Sequence, residues 1–316
     1  MTKENTTSLE KKSLSGRSAL SLLEFSSEEI FHLLDEAVKL KENPYSQALK
    51  GKTLAMIFEK SSTRTRISFE VGMLQLGGHA IDLNAKELQL GRGETIADTA
   101  KVLSAYVDAV MIRTTKHERV KELAEHATIP VINGLCDVFH PCQALADLLT
   151  ILELKGTFEN IKVAYVGDGN NVAHSLMIGS AKVGLNVSIA SPLGFEPNQN
   201  LVEQAKKIGK ETNAEIVVMN DPLEAVKDAD IVYTDVWTSM GQEDEEEKRK
   251  EIFHPYQVNQ RLMEKAKPTA HFLHCLPAHR GEEVTADVMD GEQSAVFQQA
   301  ENRLHAQKAL LKEILK

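Results

Sequence analysis

Long apolar runs are missing from this sequence: none approaches the ~18 residues that a membrane-crossing helix needs. Cysteine is scarce too. Cys136, Cys142 and Cys275 are an odd number with no C-x-x-C spacing, which excludes a disulfide framework and fits a reducing compartment. Basic residues are in the minority, with 36 Lys and Arg against 46 Asp and Glu and a net charge of −10. The chain therefore has no surplus for neutralising a run of phosphates, and general nucleic-acid binding is excluded. A small basic pocket for a small anion is not. The first residues contain no apolar segment of signal-peptide length, and Glu4 and Glu10 argue against a transit peptide. Without a secretory signal, the glycosylation sequons at Asn5 and Asn186 carry no meaning. The expectation is a soluble cytoplasmic protein with neither membrane nor nucleic acid as partner.

What is present is ordinary globular material. A length of 316 residues, at roughly 150 per domain, suggests two domains, and 42% hydrophobic residues suffice for two cores. There is no repeat of fixed period and no low-complexity tract. Short apolar runs alternate with helical patterns. TLAMIF (53–58) reads as a buried strand, followed by a helix from about Thr65 to Gly77-Gly78. Then come HAIDL, a helix from Glu94, DAVMIR, a helix near 117–127, and PVIN. After the apolar-periodic segment 141–155 the alternation restarts with KVAYVG, a helix from Asn171, NVSIA, a helix near 198–210, EIVVM, DIVYTD and AHFLHC. Strand–helix alternation implies mostly parallel sheets covered on both faces. The expected fold is α/β: two doubly wound domains linked by interdomain helices, one over 1–148 and one over 149–297. A C-terminal helix of about 298–316 packs back on the first. The acidic run 243–247 reads as a solvated loop.

Several motifs fail. Gly51-Lys52-Thr53 precedes a strand and has Ser46 where a P-loop needs glycine. Gly167-Asp168-Gly169 follows a strand and opens a helix, but Val172 stands where a dinucleotide fingerprint needs its third glycine. His140 with Cys142, or His274 with Cys275, does not make a closed metal site alone, so no metal is expected.

Four motifs survive. Ser61 to Arg66 lies between a strand end and a helix start, where free N–H groups and the helix dipole favour an anion. An ordinary cap needs one hydroxyl, whereas here hydroxyls cluster with Arg64 and Arg66, whose forks suit oxyanions. His140-Pro141-Cys142-Gln143 sits at the mouth of the next domain-linking helix; it reads either as a capping turn or as groups for a carbonyl and an amide. His274-Cys275-Leu276-Pro277 ends a strand, with Cys275 either a packed thiol or one activated by cations. Asp235 to Gly241 holds the single tryptophan, Trp237, and a carboxylate able to pair with an ammonium group.

Together these motifs resemble the carbamoyltransferases, from about residue 10 to the C-terminus. S-T-R-T-R at Ser62–Arg66 and H-P-x-Q at His140–Gln143 mark the whole family, the aspartate enzymes included. F-H-P-C-Q at Phe139–Gln143, D-x-x-x-S-M-G at Asp235–Gly241 and H-C-L-P at His274–Pro277 mark the ornithine branch. The resemblance implies carbamoyl phosphate and L-ornithine as substrates, citrulline and phosphate as products, no cofactor, and a homotrimer. It implies that Ser62, Thr63, Arg64, Thr65, Arg66 and Arg113 hold the phosphate. Thr65, Arg113 and His140 would polarise the carbonyl. Pro141, Cys142, Gln143 and the backbone of Cys275 and Leu276 would surround the carbamoyl amide, with Gln89 and Arg303 completing the site. Asn171, Asp235, Ser239 and Met240 would hold ornithine, and Cys275 would position or deprotonate its amine, making Arg113, His140 and Cys275 the catalytic residues. Residues 86–94 would reach toward a neighbouring subunit. Biosynthesis is the expected direction. The alternatives are another acceptor such as putrescine or acylated ornithine, the phosphorolytic direction, a non-catalytic binding protein, and an NAD enzyme.

Overall fold

The computed structural model describes residues 13–85, 93–238 and 243–316. Gln89, Ser239 and Met240 lie outside the described residues, as do most of the segment 86–94 and Gly241.

The first sheet contains β1 (Thr53–Phe58), β2 (His79–Asn84), β3 (Ala109–Arg113) and β4 (Val131–Leu135) in the order β2-β1-β3-β4. The second contains β5 (Lys162–Val166), β6 (Asn186–Ala190), β7 (Ile216–Met219), β8 (Ile231–Thr234) and β9 (His271–His274) in the order β7-β6-β5-β8-β9. Every strand pairing within them is parallel. The α/β architecture with two parallel sheets is therefore as the alternation predicts. Central strands such as β1 and β5 are buried on both faces, which explains their unbroken apolar runs.

The helices are α1 (Ser27–Glu42), α2 (Thr63–Gln75), α3 (Ile96–Tyr106), α4 (His117–His126), α5 (Pro141–Lys155), α6 (Asn171–Val183), α7 (Gln199–Thr212), α8 (Pro222–Val226), α9 (Glu246–Phe253), α10 (Gln260–Met263), α11 (Ala286–Met289) and α12 (Val296–Leu315). α5 begins with Pro141 at its first turn and ends at Gly156, whose φ of 74° lets the chain leave the helix left-handed. It is buried nearly all round, between α12, α1 and α6. α12 starts at Val296, two residues before the expected boundary, and lies against α5, α1 and α2.

The alternation assigns no element to residues 26–52, where a Ser26–Glu29 capping box starts α1 and Ile30, Leu33, Leu34, Ala37 and Leu40 form its buried stripe. The acidic run is not a plain loop: Glu243–Glu245 forms a 3-10 turn and Glu246 opens α9, with Asp244 to Glu247 exposed.

Candidate active site

In a doubly wound sheet, ligands collect where neighbouring strands send their connections to opposite faces. The first sheet has that point between β1 and β3, the second between β5 and β8. The carboxyl ends at both points open on one cleft of about 460 Å³.

On the first wall Ser62 caps α2, its Oγ accepting the Thr65 N–H at 3.3 Å. So the capping role is real, and the two arginines remain beyond what a cap requires. Arg64 donates to the Leu276 carbonyl at 2.7 Å. Arg113, paired in register with Phe58 across β1 and β3, donates to Thr65 Oγ1. Arg303 arrives from α12, fully 238 residues away in sequence, and donates to the same oxygen at 2.8 Å and to Gln143 Oε1. Burial, then Arg303 and Arg64, hold the Arg113 guanidinium down at about 10. Burial likewise lowers Arg64 and Arg303. Three cations share a desolvated cleft, an arrangement whose electrostatic cost an anion relieves.

His140 precedes α5 and its backbone N–H donates to Ser175 Oγ at 2.7 Å. Among the described residues its Nδ1 is buried without a hydrogen-bond partner. Burial, then Arg303, Arg113 and Arg64, push its pKa well below the usual histidine range, so the ring is neutral. A neutral imidazole donates to a developing oxyanion from one nitrogen only, fixed by the tautomer.

The second wall is acidic and amide-rich. Asp235 follows β8 and accepts Asn170 Nδ2 at 2.8 Å and the Cys275 thiol at 3.0 Å. Asn171 opens α6 and donates to the Cys136 carbonyl at 2.6 Å. Burial, then Asp235, raise the Cys275 pKa well above its ordinary value. Its neighbours thus favour the thiol over the thiolate.

The cleft gathers Ser62, Arg64, Thr65, Arg113, His140, Asn171, Asp235, Cys275, Leu276 and Arg303. Thr63, Pro141, Cys142 and Gln143 stand outside its lining, although Gln143 backs it through Arg303. Cys142 is buried with its thiol on the Asn133 carbonyl at 3.5 Å, and burial pushes it to about 12. Arg66 departs from expectation: it pairs with Asp82 at 2.9 Å, sits over the Phe58 ring and borders a separate hollow with Lys60. Two residues apart on α2, Arg64 and Arg66 are rotated by about 200° and lie on opposite faces of the helix, which is why the two motif arginines part company.

Sequence reasoning missed Asp168 and Arg249. Arg249 on α9 is buried, ion-paired with Asp168, and donates from Nε to the Trp237 carbonyl at 2.5 Å. Its guanidinium lies 4.8 Å from the Phe195 ring centre and 5.0 Å from that of Phe253. Burial outweighs the pairing and lifts Asp168 to about 6. Gly169 of the failed dinucleotide motif has a packing reason instead, since a Cβ there would lie 2.2 Å from the Pro197 nitrogen.

Two open parallel sheets sharing a cleft with cations on one wall and a carboxylate on the other define an enzyme-like site for a small anion and an amine. The comparisons agree. A family model described as the carbamoyl-P binding domain of aspartate/ornithine carbamoyltransferase matches residues 17–153, and one described as the Asp/Orn binding domain matches 159–314. The chain is 62% identical over 306 residues to the ornithine carbamoyltransferase of Anoxybacillus flavithermus, covering 96% of this chain and 98% of that one. It is 64% identical over 303 residues to that of Bacillus subtilis, covering 96% and 95%. The solved ornithine carbamoyltransferase from Pyrococcus furiosus superposes with a TM-score of 0.93 at 57% identity, covering 96% of this chain and 98% of that one. The chain belongs to the aspartate/ornithine carbamoyltransferase family.

Proposed function

We propose that this protein transfers the carbamoyl group of carbamoyl phosphate to the side-chain amine of L-ornithine, giving L-citrulline and phosphate, in arginine biosynthesis. The observation that carries this reading is the single cleft with Arg64, Arg113 and Arg303 on one wall and Asp235, Asn171 and Cys275 on the other. The unit 1–148 takes carbamoyl phosphate, the unit 149–297 takes ornithine, and α12 returns Arg303 to the first.

The phosphate dianion sits at the start of α2, on Ser62, Thr63, Arg64 and Thr65, with Arg113 beside it. Thr65, Arg113 and neutral His140 meet the carbamoyl oxygen, where negative charge develops as the amine adds. Gln143 and the carbonyls of Cys275 and Leu276 take the carbamoyl amide hydrogens. Asp235 and Asn171 hold ornithine by its ammonium and amino-acid groups, with Ser239 and Met240 against it. The attacking amine must be neutral, and three nearby guanidinium groups in a desolvated cleft favour that form. The tetrahedral intermediate collapses by breaking the carbon–oxygen bond to phosphate, and the leaving phosphate accepts the amine proton. No step requires a metal or an organic cofactor. Alignment of the two reactants supplies much of the rate.

A homotrimer is part of the proposal. Ile67, Leu74, Ile81, Val102 and Tyr106 are exposed on α2, α3 and edge strand β2, a surface suited to subunit packing. A cytoplasmic setting is supported by three free cysteines and by the lack, among the described residues, of a helix long and apolar enough to cross a membrane.

The deciding experiment assays carbamoyl transfer to ornithine, putrescine, aspartate and N-acetylornithine in parallel. Turnover confined to ornithine supports the proposal. Turnover with another acceptor keeps the anion site and overturns the amine site, and silence with all four overturns the enzyme.

A further inference from the structure

The cleft wall that follows β9 is held from behind by a buried hydrogen-bond chain that joins His274 of the H-C-L-P motif to Glu283. Glu283 and His274 have fully buried side chains, and Glu283 Oε1 lies 3.1 Å from His274 Nε2. The other ring nitrogen, Nδ1, accepts the Leu276 N–H at 2.9 Å. Because Nδ1 is an acceptor, the ring proton is on Nε2 and is donated to Glu283. A doubly protonated ring would set an N–H against the Leu276 N–H. The same Oε1 also accepts the His279 N–H at 2.6 Å, and the Glu283 carbonyl accepts the Val258 N–H at 2.9 Å.

These contacts close a loop from His274 to Glu283, and Cys275, Leu276, Pro277 and His279 on that loop all line the cleft. Leu276 adopts φ 59°, a left-handed conformation unfavourable for leucine, which the N–H bond to His274 on one side and the Arg64 bond to its carbonyl on the other pin in place. A line of contacts thus runs from Glu283 through His274 and the Leu276 peptide to Arg64.

We propose that Glu283 is a positioning residue for carbamoyl transfer, acting through the His274 tautomer to aim the Leu276 carbonyl and the Cys275 thiol into the cleft. The proposal rests on the reading of the cleft given above. Neither side chain touches substrate. Their task is to hold a backbone carbonyl and a thiol at fixed positions, and displacement of such groups by about 1 Å costs on the order of 100-fold in rate.

The test compares Glu283→Gln, Glu283→Leu, His274→Asn, His274→Phe and the Glu283→Leu/His274→Phe double variant, with kcat, both KM values and melting temperature measured on the whole protein. Glu283→Gln keeps an acceptor at Oε1, and His274→Asn keeps an acceptor near the Nδ1 position. Both are expected to retain kcat/KM for carbamoyl phosphate within about threefold of each other and well above the apolar variants. Glu283→Leu and His274→Phe are expected to lose roughly 10- to 100-fold, and the double variant no more than the worse single one, because the residues act in series. Wild-type activity in Glu283→Leu would overturn the proposal. So would losses that multiply in the double variant, or a Gln variant as impaired as the Leu variant. If the apolar variants do not fold, the Gln and Asn variants decide: a loss of about 10-fold or more in either, at unchanged melting temperature, overturns it. Carbamoyl phosphate affinity, read by calorimetry without any acceptor, separates the two readings. A wild-type chain that binds it but is silent with ornithine overturns the acceptor assignment, while the order of the variants in calorimetry still judges the positioning role.

Discussion

Arg113 and Arg303 converge on one atom. The first reaches Thr65 Oγ1 from the end of β3 at 3.2 Å, and the second reaches it from α12 at 2.8 Å. A hydroxyl oxygen has two lone pairs, and here both are used by guanidinium groups. Its own hydrogen is therefore directed to a third partner, and a substrate oxygen in the cleft meets that need.

Thr65→Val tests this. Valine has nearly the same shape but leaves two buried guanidinium N–H groups without their acceptor and removes the donor. The expected result is a loss of roughly 100-fold in kcat/KM for carbamoyl phosphate, the scale of one oxyanion donor. Thr65→Ser keeps the hydroxyl and should retain most of the activity. Steady-state kinetics with each substrate varied decides, and equal behaviour of the two variants would remove Thr65 from the site.

His140 makes a prediction about pH. Burial, followed by three arginines, depresses its pKa well below the value of about 6.5 that it has in the unfolded chain. The unfolded state then binds the extra proton as pH falls below about 6.5, while the folded state does not. The stability His140 allows is present above that pH and is lost below it, by at most about 1.4 kcal/mol per pH unit. Urea denaturation of the wild type and His140→Asn between pH 5.5 and 8 should show the wild type losing stability relative to the variant on the acid side. A constant gap would mean that the ring protonates in the fold.

Much of this architecture is legible from the residues, and the exceptions have physical reasons. Strands such as β1 are short apolar runs because both sheet faces are covered, so their limits can be read directly. The start of α2 is marked by hydroxyls and arginines together. The signal for α1 lies in its Ser26–Glu29 capping box and apolar stripe. α8, α10 and α11 have five, four and four residues, too few for a period to appear, and tertiary contacts set them. Of the site, the residues legible in sequence are those in motifs at strand ends. Arg113, Asn171 and Arg303 enter only through the family resemblance, and Arg249 not at all. Nothing in a run of charges tells which one turns inward between Phe195 and Phe253.

Arg249 yields the next prediction. It ties α9 to the Trp237 carbonyl, two residues before Ser239, and neutralises Asp168. Arg249→Met leaves Asp168 buried without its partner, at a cost of about 3–5 kcal/mol. It also frees the peptide that leads into the proposed ornithine contacts. The expected kinetic result is an ornithine KM raised roughly 10-fold, with the carbamoyl phosphate KM little changed, since one oriented segment is lost. Adding Asp168→Asn should restore part of the stability and none of the ornithine affinity. Chemical denaturation and two-substrate kinetics on the same preparations check both halves, and a rise in the carbamoyl phosphate KM instead would place Arg249 with the other half-site.

Asp147 carries the last prediction, because two effects pull its carboxyl in opposite directions. It accepts Gln143 Nε2 at 2.9 Å, Gln299 Nε2 at 2.6 Å and the Tyr233 hydroxyl at 3.3 Å, all of which favour the ionised form. Complete burial opposes them and wins, lifting the pKa to about 7. The folded state therefore holds a proton between about pH 4 and 7 that the unfolded state has released, and stability falls as pH rises through that window. Asp147→Asn has no such titration. Its Oδ1 keeps both glutamine donors, and its amide nitrogen meets the Tyr233 hydroxyl, which then accepts. The variant should gain on the wild type steadily from pH 4 to 7 and hold a constant lead above, with an upper bound of about 4 kcal/mol from a shift of this size. Denaturant midpoints across that range read the gap. A lead that shrank with rising pH would show that the three donors outweigh burial and keep the carboxylate ionised in the fold.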